Sequence, residues 1–470
     1  MNSTSREPSD PTALPNPNAA SPQKAKSWRA GTLLYTSGGL TALFFWLLLG
    51  DFAWSMRERS VGPMAGWYLN HLDVPNLLFG LLTASFPAFV GLILGPIISV
   101  RSDRHRGPRG RRIPFLLATT PLAALGMIGL ALTPPLAQWV HSHFPEQNEM
   151  VVAVICFGVF WAVFEVASIA SQAVFGGLIN DVVPAPLLGR FYGLFRAISL
   201  IDGMIFNFWI MGKVPDHFTL ILIVIAVFYG TAFLWVCLQV REGEYPPVPV
   251  QQHRSIAAGF LRETSQYFRE CFGNKYYVTV FIMIMTAGLT FSPVNIFGLP
   301  YARSLGVDMD AYGKSLALTY FISLCLSFFL GWLADKFHPL RMAIVMLAAY
   351  ATMNVAAFFL VRDASTFLTA WVLHGVISGC YFTSAASLGP RLFPHSKFAQ
   401  YMSAAGICTS IGNMGLAPLV GLIVDSSGTD YRYTFATAGG LAITALLVAL
   451  VVLVQFRRLG GPRNYVAPEI

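Results

Sequence analysis

The sequence predicts an all-α integral membrane protein, with twelve transmembrane helices in two pseudo-symmetric six-helix halves. Three observations carry that prediction. Of the 470 residues, 55% are hydrophobic and only 11% charged, too apolar a mixture to build a soluble surface. Apolar runs of about 20 residues, enough to cross about 30 Å of hydrocarbon, recur along almost the whole chain. A loop pattern after the second run also returns after the eighth: Ser99-Val-Arg-Ser-Asp103-Arg104 with Gly110-Arg111-Arg112, then Gly331-Trp-Leu-Ala-Asp335-Lys336 with Arg341.

The runs fall at 32–54, 77–100, 113–132, 150–178, 188–211, 218–240, 276–300, 312–334, 342–361, 367–388, 398–424 and 435–456. Segment 1–27 is rich in Pro, Ser, Asn and Ala, has no signal-peptide hydrophobic stretch, and reads as a disordered cytoplasmic tail. A first half over 28–240, a polar cytoplasmic connection over 241–275 with Tyr245-Pro246-Pro247, a second half over 276–458 and a cytoplasmic tail over 459–470 complete the organisation. The six cysteines show neither metal-like nor paired spacing and read as small buried hydrophobes.

Charge predicts the orientation. With both termini inside, about 23 of the 31 Lys and Arg fall in the tails and loops of the inner side, which is the positive-inside pattern. A basic face beside anionic headgroups accounts for the net charge of +8, so no nucleic-acid partner is expected. Two related halves around a central pathway are the arrangement of many secondary transporters. The chain has no phosphate-cradling Gly-x-x-x-x-Gly-Lys-(Ser/Thr) loop and no clustered His/Cys/Asp set, so no enzyme activity, cofactor or resident metal is expected.

The repeated Gly-x-x-x-Asp-(Arg/Lys) loop with its trailing arginine resembles the signature of the major facilitator superfamily, and does so in both halves. Ser102-Asp103-Arg104 with Gly110-Arg111-Arg112-Ile113-Pro114-Phe115 resembles more narrowly the "SDR…GRRRPF" of sucrose-type transporters and their glycoside:cation symporter relatives. Phe52-Ala-Trp54-Ser-Met-Arg57-Glu58-Arg59-Ser-Val-Gly-Pro63 lies ungapped on that branch's first-helix "FGWALQLSLLTP", sharing Phe, Trp and Pro. Glu165, Gln172 and Asp181 follow the spacing of its fourth-helix acid, glutamine and aspartate. The resemblance implies alternating access, a sugar or glycoside as solute, and symport with H⁺ or Na⁺ across the cytoplasmic (inner) membrane. The chain departs from the branch at Gly176 in place of an arginine, Arg57 in place of a glutamine, and Ser99 in place of a glycine.

The residues make their own case. Glu165 falls in the middle of the fourth run, where a carboxylate is costly unless paired, hydrated or protonated. Trp161, Ser168 and Gln172 share its helical face, a polar and aromatic stripe suited to a wet cavity. A protonatable acid there can couple proton entry to solute binding. In the fifth run Arg196, Ser199, Gly203 and Asn207 share one face, with Asp202 about a third of a turn away. Arg196 is expected to supply the positive partner that Gly176 cannot. Asp51, Arg57, Glu58 and Arg59 line the pathway if the first helix continues to Pro63, and decorate the outer surface if it stops near Trp54; the longer helix is preferred.

In the second half Asn295, Tyr320, His374 with Ser378 and Tyr381, and Asn413 are polar groups at membrane depth that either join helices or face the cavity. Trp46, Trp54, Trp161 and Trp209 are candidates to stack on a sugar face. Asp103, Arg104, Arg111 and Arg112, with Asp335, Lys336 and Arg341, form candidate latches at the cytoplasmic end. Each aspartate is expected to pair with nearby Arg or Lys and with the positive N-terminal end of a helix in the adjoining half. The partners expected are a small solute and the bilayer, and the chain is expected to be a monomer. A facilitator or exporter of amphipathic molecules and a transporter-like sensor are the alternatives.

Overall fold

A computed structural model describes residues 27–245, 267–394 and 397–468. The tail reading over 1–26 and the core of the connection, 246–266, lie outside the described residues. The chain opens with a hairpin, β1 (Trp28–Ala30) against β2 (Leu33–Tyr35), turned at Gly31 with φ 57°. Twelve helical passes follow: α1 (Ser37–His71), α2 (Asn76–Arg104), α3 (Ile113–His143), α4 (Glu149–Val182), α5 (Leu188–Ile205) and α6 (Val214–Gln239), then α7 (Lys275–Ser304), α8 (Met309–Phe337), α9 (Pro339–Leu360), α10 (Ala364–Ala385), α11 (Phe398–Ser426) and α12 (Arg432–Arg458). Among the described residues nine stretches are long and apolar enough to cross a membrane. One of them, Ala185–Gln239, contains both α5 and α6, and α8 and α10 supply the two remaining passes.

Helices are the solution because hydrocarbon offers no partner for backbone N–H and C=O groups. Two passes contain a π turn: one at Leu81–Ser85 interrupts α2, and another at Phe206–Ile210 continues α5. α1 is longer than its apolar run predicts. The run stops at Trp54, whereas the helix continues through Pro63 to His71, about 52 Å in all at 1.5 Å per residue. Asp51 and Arg57 are buried on it, so these two charges face the protein rather than water. Arg57 and Arg59 therefore lie within the span of α1 and not at its end.

The packing repeats. α1 lies against α5 and α6, α2 against α4, and α3 against α4 and α6; in the second half α7 lies against α11 and α12, α8 against α10, and α9 against α10 and α12. Adding six to each label converts the first set into the second, the relation expected of parallel repeats about an axis along the membrane normal. The halves meet along two seams of the same kind, α2 with α11 and α5 with α8. Glycine makes close approach possible on both: a Cβ on Gly80 would stand 2.7 Å from the Ala417 carbonyl oxygen, and one on Gly203 2.7 Å from the Tyr320 ring.

Helices α1, α3, α5, α7, α9 and α11 begin at the face that carries β1 and β2, called here the termini face; the other is the far face. The α8–α9 turn on the termini face is His338, with φ 75°. Its Nδ1 accepts the Leu340 N–H at 3.2 Å, and its ring lies 4.7 Å from that of Phe456. Burial, then the Arg391 and Arg341 charges, hold the imidazole down at about 4. Between about 4 and the ordinary 6.5 the unfolded chain binds the proton that the folded chain refuses, so stability rises with pH across that window. Thermal unfolding in detergent should therefore show a midpoint falling as pH drops from 6.5 toward 4. His338→Asn, which tolerates positive φ and keeps an acceptor for Leu340, should flatten that slope.

Candidate solute site between the two halves

Two adjoining cavities occupy the membrane interior and share Gly62 as lining. The first, about 160 Å³, belongs to the N-terminal half and is lined by Trp54, Arg57, Glu58, Glu165, Ser168 and Gln172. The second, about 310 Å³, is shared by both halves; its walls include Phe79, Trp161, Tyr312, Tyr320 and Trp371, with Asn295 as a polar group among them. Together they reach the size range of small-molecule sites, about 300–1,000 Å³.

The charged end is organised around Arg57, which is only 4% exposed. Its guanidinium carbon lies 4.0 Å from the Trp54 ring centre and 5.0 Å from that of Tyr229, and Nη1 donates to Ser168 Oγ at 3.0 Å. Aromatic faces and a hydroxyl thus stand in for water around the cation. Arg57 is also the charged group acting on Glu165, which is half-buried on α4. Glu58 and Gln172 are exposed to the cavity. The positive partner of Glu165 is therefore Arg57, one pass away in α1, and not Arg196 as the sequence led us to expect. Arg196 is exposed, and the groups acting on it are Arg59 and Tyr320.

Beside the cavity, α1 and α5 bury two acids. Asp51 and Asp202 are 7% and 0% exposed, and neither oxygen of Asp202 has a hydrogen-bond partner among the described residues. Asn207 donates to the Gly203 carbonyl of its own helix at 2.8 Å. Arg59 spans the seam: Nη2 donates to Ser199 Oγ at 2.9 Å and Nη1 to Tyr320 Oη at 3.3 Å. In the C-terminal half His374 lies fully buried between Tyr350 and Asn295. Asn413 accepts the Ser292 hydroxyl at 2.9 Å and so joins α11 to α7 rather than lining either cavity. Of the four candidate tryptophans, Trp54 and Trp161 line the cavities, Trp46 stacks on Trp235, and Trp209 is 60% exposed on the outside. Trp371, Tyr312, Glu242 and Asp425 went unnoticed among the candidates, and Asp181 was marked only by its spacing from Glu165.

The latches differ from expectation. Asp103 pairs with Arg112 at 2.5 Å, and both Arg111 and Arg112 reach Asp181, at 2.5 and 3.2 Å. The hydrogen bond to Asp181 raises the Arg111 pKa further. The carboxylate that caps a helix start is Glu242, which accepts the backbone N–H groups of Arg111, Arg112 and Ile113 at 3.0, 2.7 and 2.7 Å. The partners of Asp103 and Asp181 all belong to the N-terminal half, and Glu242 to the start of the connection that follows it, so in these pairs Asp103 does not reach across to the other half. Arg104 and Arg341 are exposed, and Lys336 lies over the Trp332 ring at 4.9 Å. The Asp335 side chain lies outside the described residues.

Cross-half capping occurs instead at the far face. Asp425, near the end of α11, accepts Leu77 N–H at 2.9 Å, Asn76 N–H at 3.2 Å and the Asn76 amide at 2.8 Å, at the first turn of α2. Tyr431 donates to the Asn76 side chain, and Arg303 pairs with Asp73. These contacts between the halves, with Arg59 to Tyr320 and Ser85 to the Met414 carbonyl, lie toward the far face.

A family model for the Major Facilitator Superfamily matches residues 280–465. No curated protein matches the sequence. Among solved structures, a peptide transporter POT in complex with sulfate shares 14% identity at a TM-score of 0.66, covering 89% of this chain and 95% of its own. A D-xylose-proton symporter shares 13% at 0.65, covering 87% and 97%. The nucleoside transporter NupG shares 12% at 0.61, covering 87% and 98%.

Asp425→Ala removes a charged acceptor from three donors, a loss of about 2 kcal/mol, or on the order of thirtyfold, in the contact that joins the halves at the far face. Spin labels at Gln147 and Ser426 should report a longer-distance population that grows in this variant. The chain has the fold of these solved transporters, and over residues 280–465 it is similar to the Major Facilitator Superfamily.

Proposed function

We propose that the protein is a proton-coupled secondary transporter of a small sugar or glycoside in the cytoplasmic membrane, working by alternating access. The observation that carries this reading is the composite cavity: a polar end with Glu165, Glu58, Gln172 and the caged Arg57, facing an aromatic end with Asn295 across the boundary of two repeats. Flat aromatic walls suit the apolar face of a sugar ring, and polar groups at both ends suit its hydroxyls. Only a site shared by two bodies that rock against each other can be offered to either side of the membrane in turn.

With the basic termini face toward the cytoplasm, a far face tied by Asp425, Tyr431 and Arg303 is the inward-facing stage of that cycle. Glu165 is the coupling group: held near Arg57 in a cavity-lining position, it exchanges a proton, and its charge state sets how firmly Arg57 is bound. Na⁺ in place of H⁺ is tested by exchanging the gradients. The aromatic walls also support a second reading, a facilitator of amphipathic solutes, for which flux does not depend on an ion gradient.

Proteoliposomes loaded with buffer and given labelled sucrose should accumulate it when a pH gradient is imposed. Glu165→Gln should abolish that accumulation while sucrose exchange across the membrane persists at a rate within about threefold. Accumulation that survives the substitution assigns Glu165 to structure alone, and flux indifferent to the gradient selects the facilitator.

A further inference from the structure

Asn295 is exposed although it sits in the membrane interior between Pro293 and Pro300, because it faces the shared cavity. Its carbonyl oxygen is already engaged: Asn295 Oδ1 lies 3.0 Å from His374 Nε2. The imidazole is 1% exposed, and its other nitrogen, Nδ1, lies 2.6 Å from Tyr350 Oη. Trp371, itself a wall of the cavity, stacks on the same ring at 5.3 Å and 15°. No rotation of the imidazole is possible without breaking these contacts.

With Asn295 Oδ1 facing the ring, the chain of three has one consistent proton arrangement. An amide oxygen only accepts, so Nε2 carries the hydrogen that points to Asn295. No carboxylate touches the ring to compensate an imidazolium at this depth, so the imidazole is neutral and Nδ1 is an acceptor. Tyr350 therefore donates to Nδ1. With its oxygen turned back to His374, Asn295 has its NH₂ group left for the cavity.

We propose that Tyr350 and His374 are positioning residues that lock the Asn295 amide with its N–H donors toward the cavity, so that this end of the site selects a solute group accepting hydrogen bonds. A hydroxyl, ring or carbonyl oxygen qualifies; an ammonium group does not. The opposite end, with Glu58, Glu165 and Gln172, takes the donors, which gives the solute a fixed head-to-tail orientation. The inference deepens the transport reading above and rests on it for the identity of the cavity as the solute site.

Two measurements test it separately. In full-length protein in nanodiscs labelled with ¹⁵N-histidine, the His374 signal, identified by its loss in His374→Asn, should show a protonated Nε2 and a bare Nδ1. A protonated Nδ1, alone or with Nε2, overturns the lock whatever the protein transports. In sucrose uptake, Tyr350→Phe should raise KM about tenfold at unchanged kcat, since it frees the imidazole to turn without removing a group that touches solute. Asn295→Asp, which keeps the shape but replaces donors with acceptors, should raise KM by about a hundredfold or more. An unchanged KM in both variants overturns the proposal; native protein that fails to move sucrose, with the expected histidine signal intact, overturns the choice of solute and leaves the lock standing.

Discussion

The arrangement depends on one carboxylate reaching from one half into the backbone of the other. Asp425 satisfies N–H groups at the start of α2 that would otherwise have no intrahelical partner, and it does so from the end of α11. A helix start is an electropositive target, and here the target and the acid belong to different repeats. The contact is therefore made only in one relative position of the two bodies. The glycines of the two seams are subordinate to it: Gly80 and Gly203 let backbones and rings come close, but they give no direction to the approach.

Within the N-terminal half the central problem is a cation in an apolar medium. Arg57 is relieved by aromatic faces and one hydroxyl rather than by a contacting carboxylate. That arrangement leaves Glu165 under the influence of Arg57 with no ion pair between them among the described residues, as the proposed coupling role requires. Arg111 and Arg112 on the termini face show the opposite solution, two guanidinium groups shared by Asp103 and Asp181 in short contacts. The first is suited to change and the second to holding the ends of α2, α3 and α4 together.

Much of the fold was legible in the sequence because a bilayer allows few alternatives. Apolar run length sets the passes, and the repeated Asp103 and Asp335 loops announce the two halves. The limit of that reasoning appears in α1, where hydropathy treats Arg57, Glu58 and Arg59 as the end of a span. A charge that faces a cavity and a charge that faces water look alike in a running average. Partner choice was not legible either. Helical phase points to Arg196 as the partner of Glu165, and only the packing of α1 against its neighbours brings Arg57 into that place. Asp103 pairs with Arg112 within its own half, and the acid that caps a helix of the adjoining half is Asp425, at the opposite face, which no loop pattern marks in the sequence.

The π turns have a consequence for how the repeats correspond. Each holds one residue more than an α turn of the same span, so it advances the phase of every side chain beyond it by about 100°. Both occur in the N-terminal half, in α2 and α5, the two helices it contributes to the seams; their counterparts α8 and α11 run as unbroken α-helix. A residue-by-residue superposition of the halves must therefore carry a gap in each seam helix. Positions past Ser85 and Ile210 have their structural equivalents one step away from where sequence arithmetic puts them.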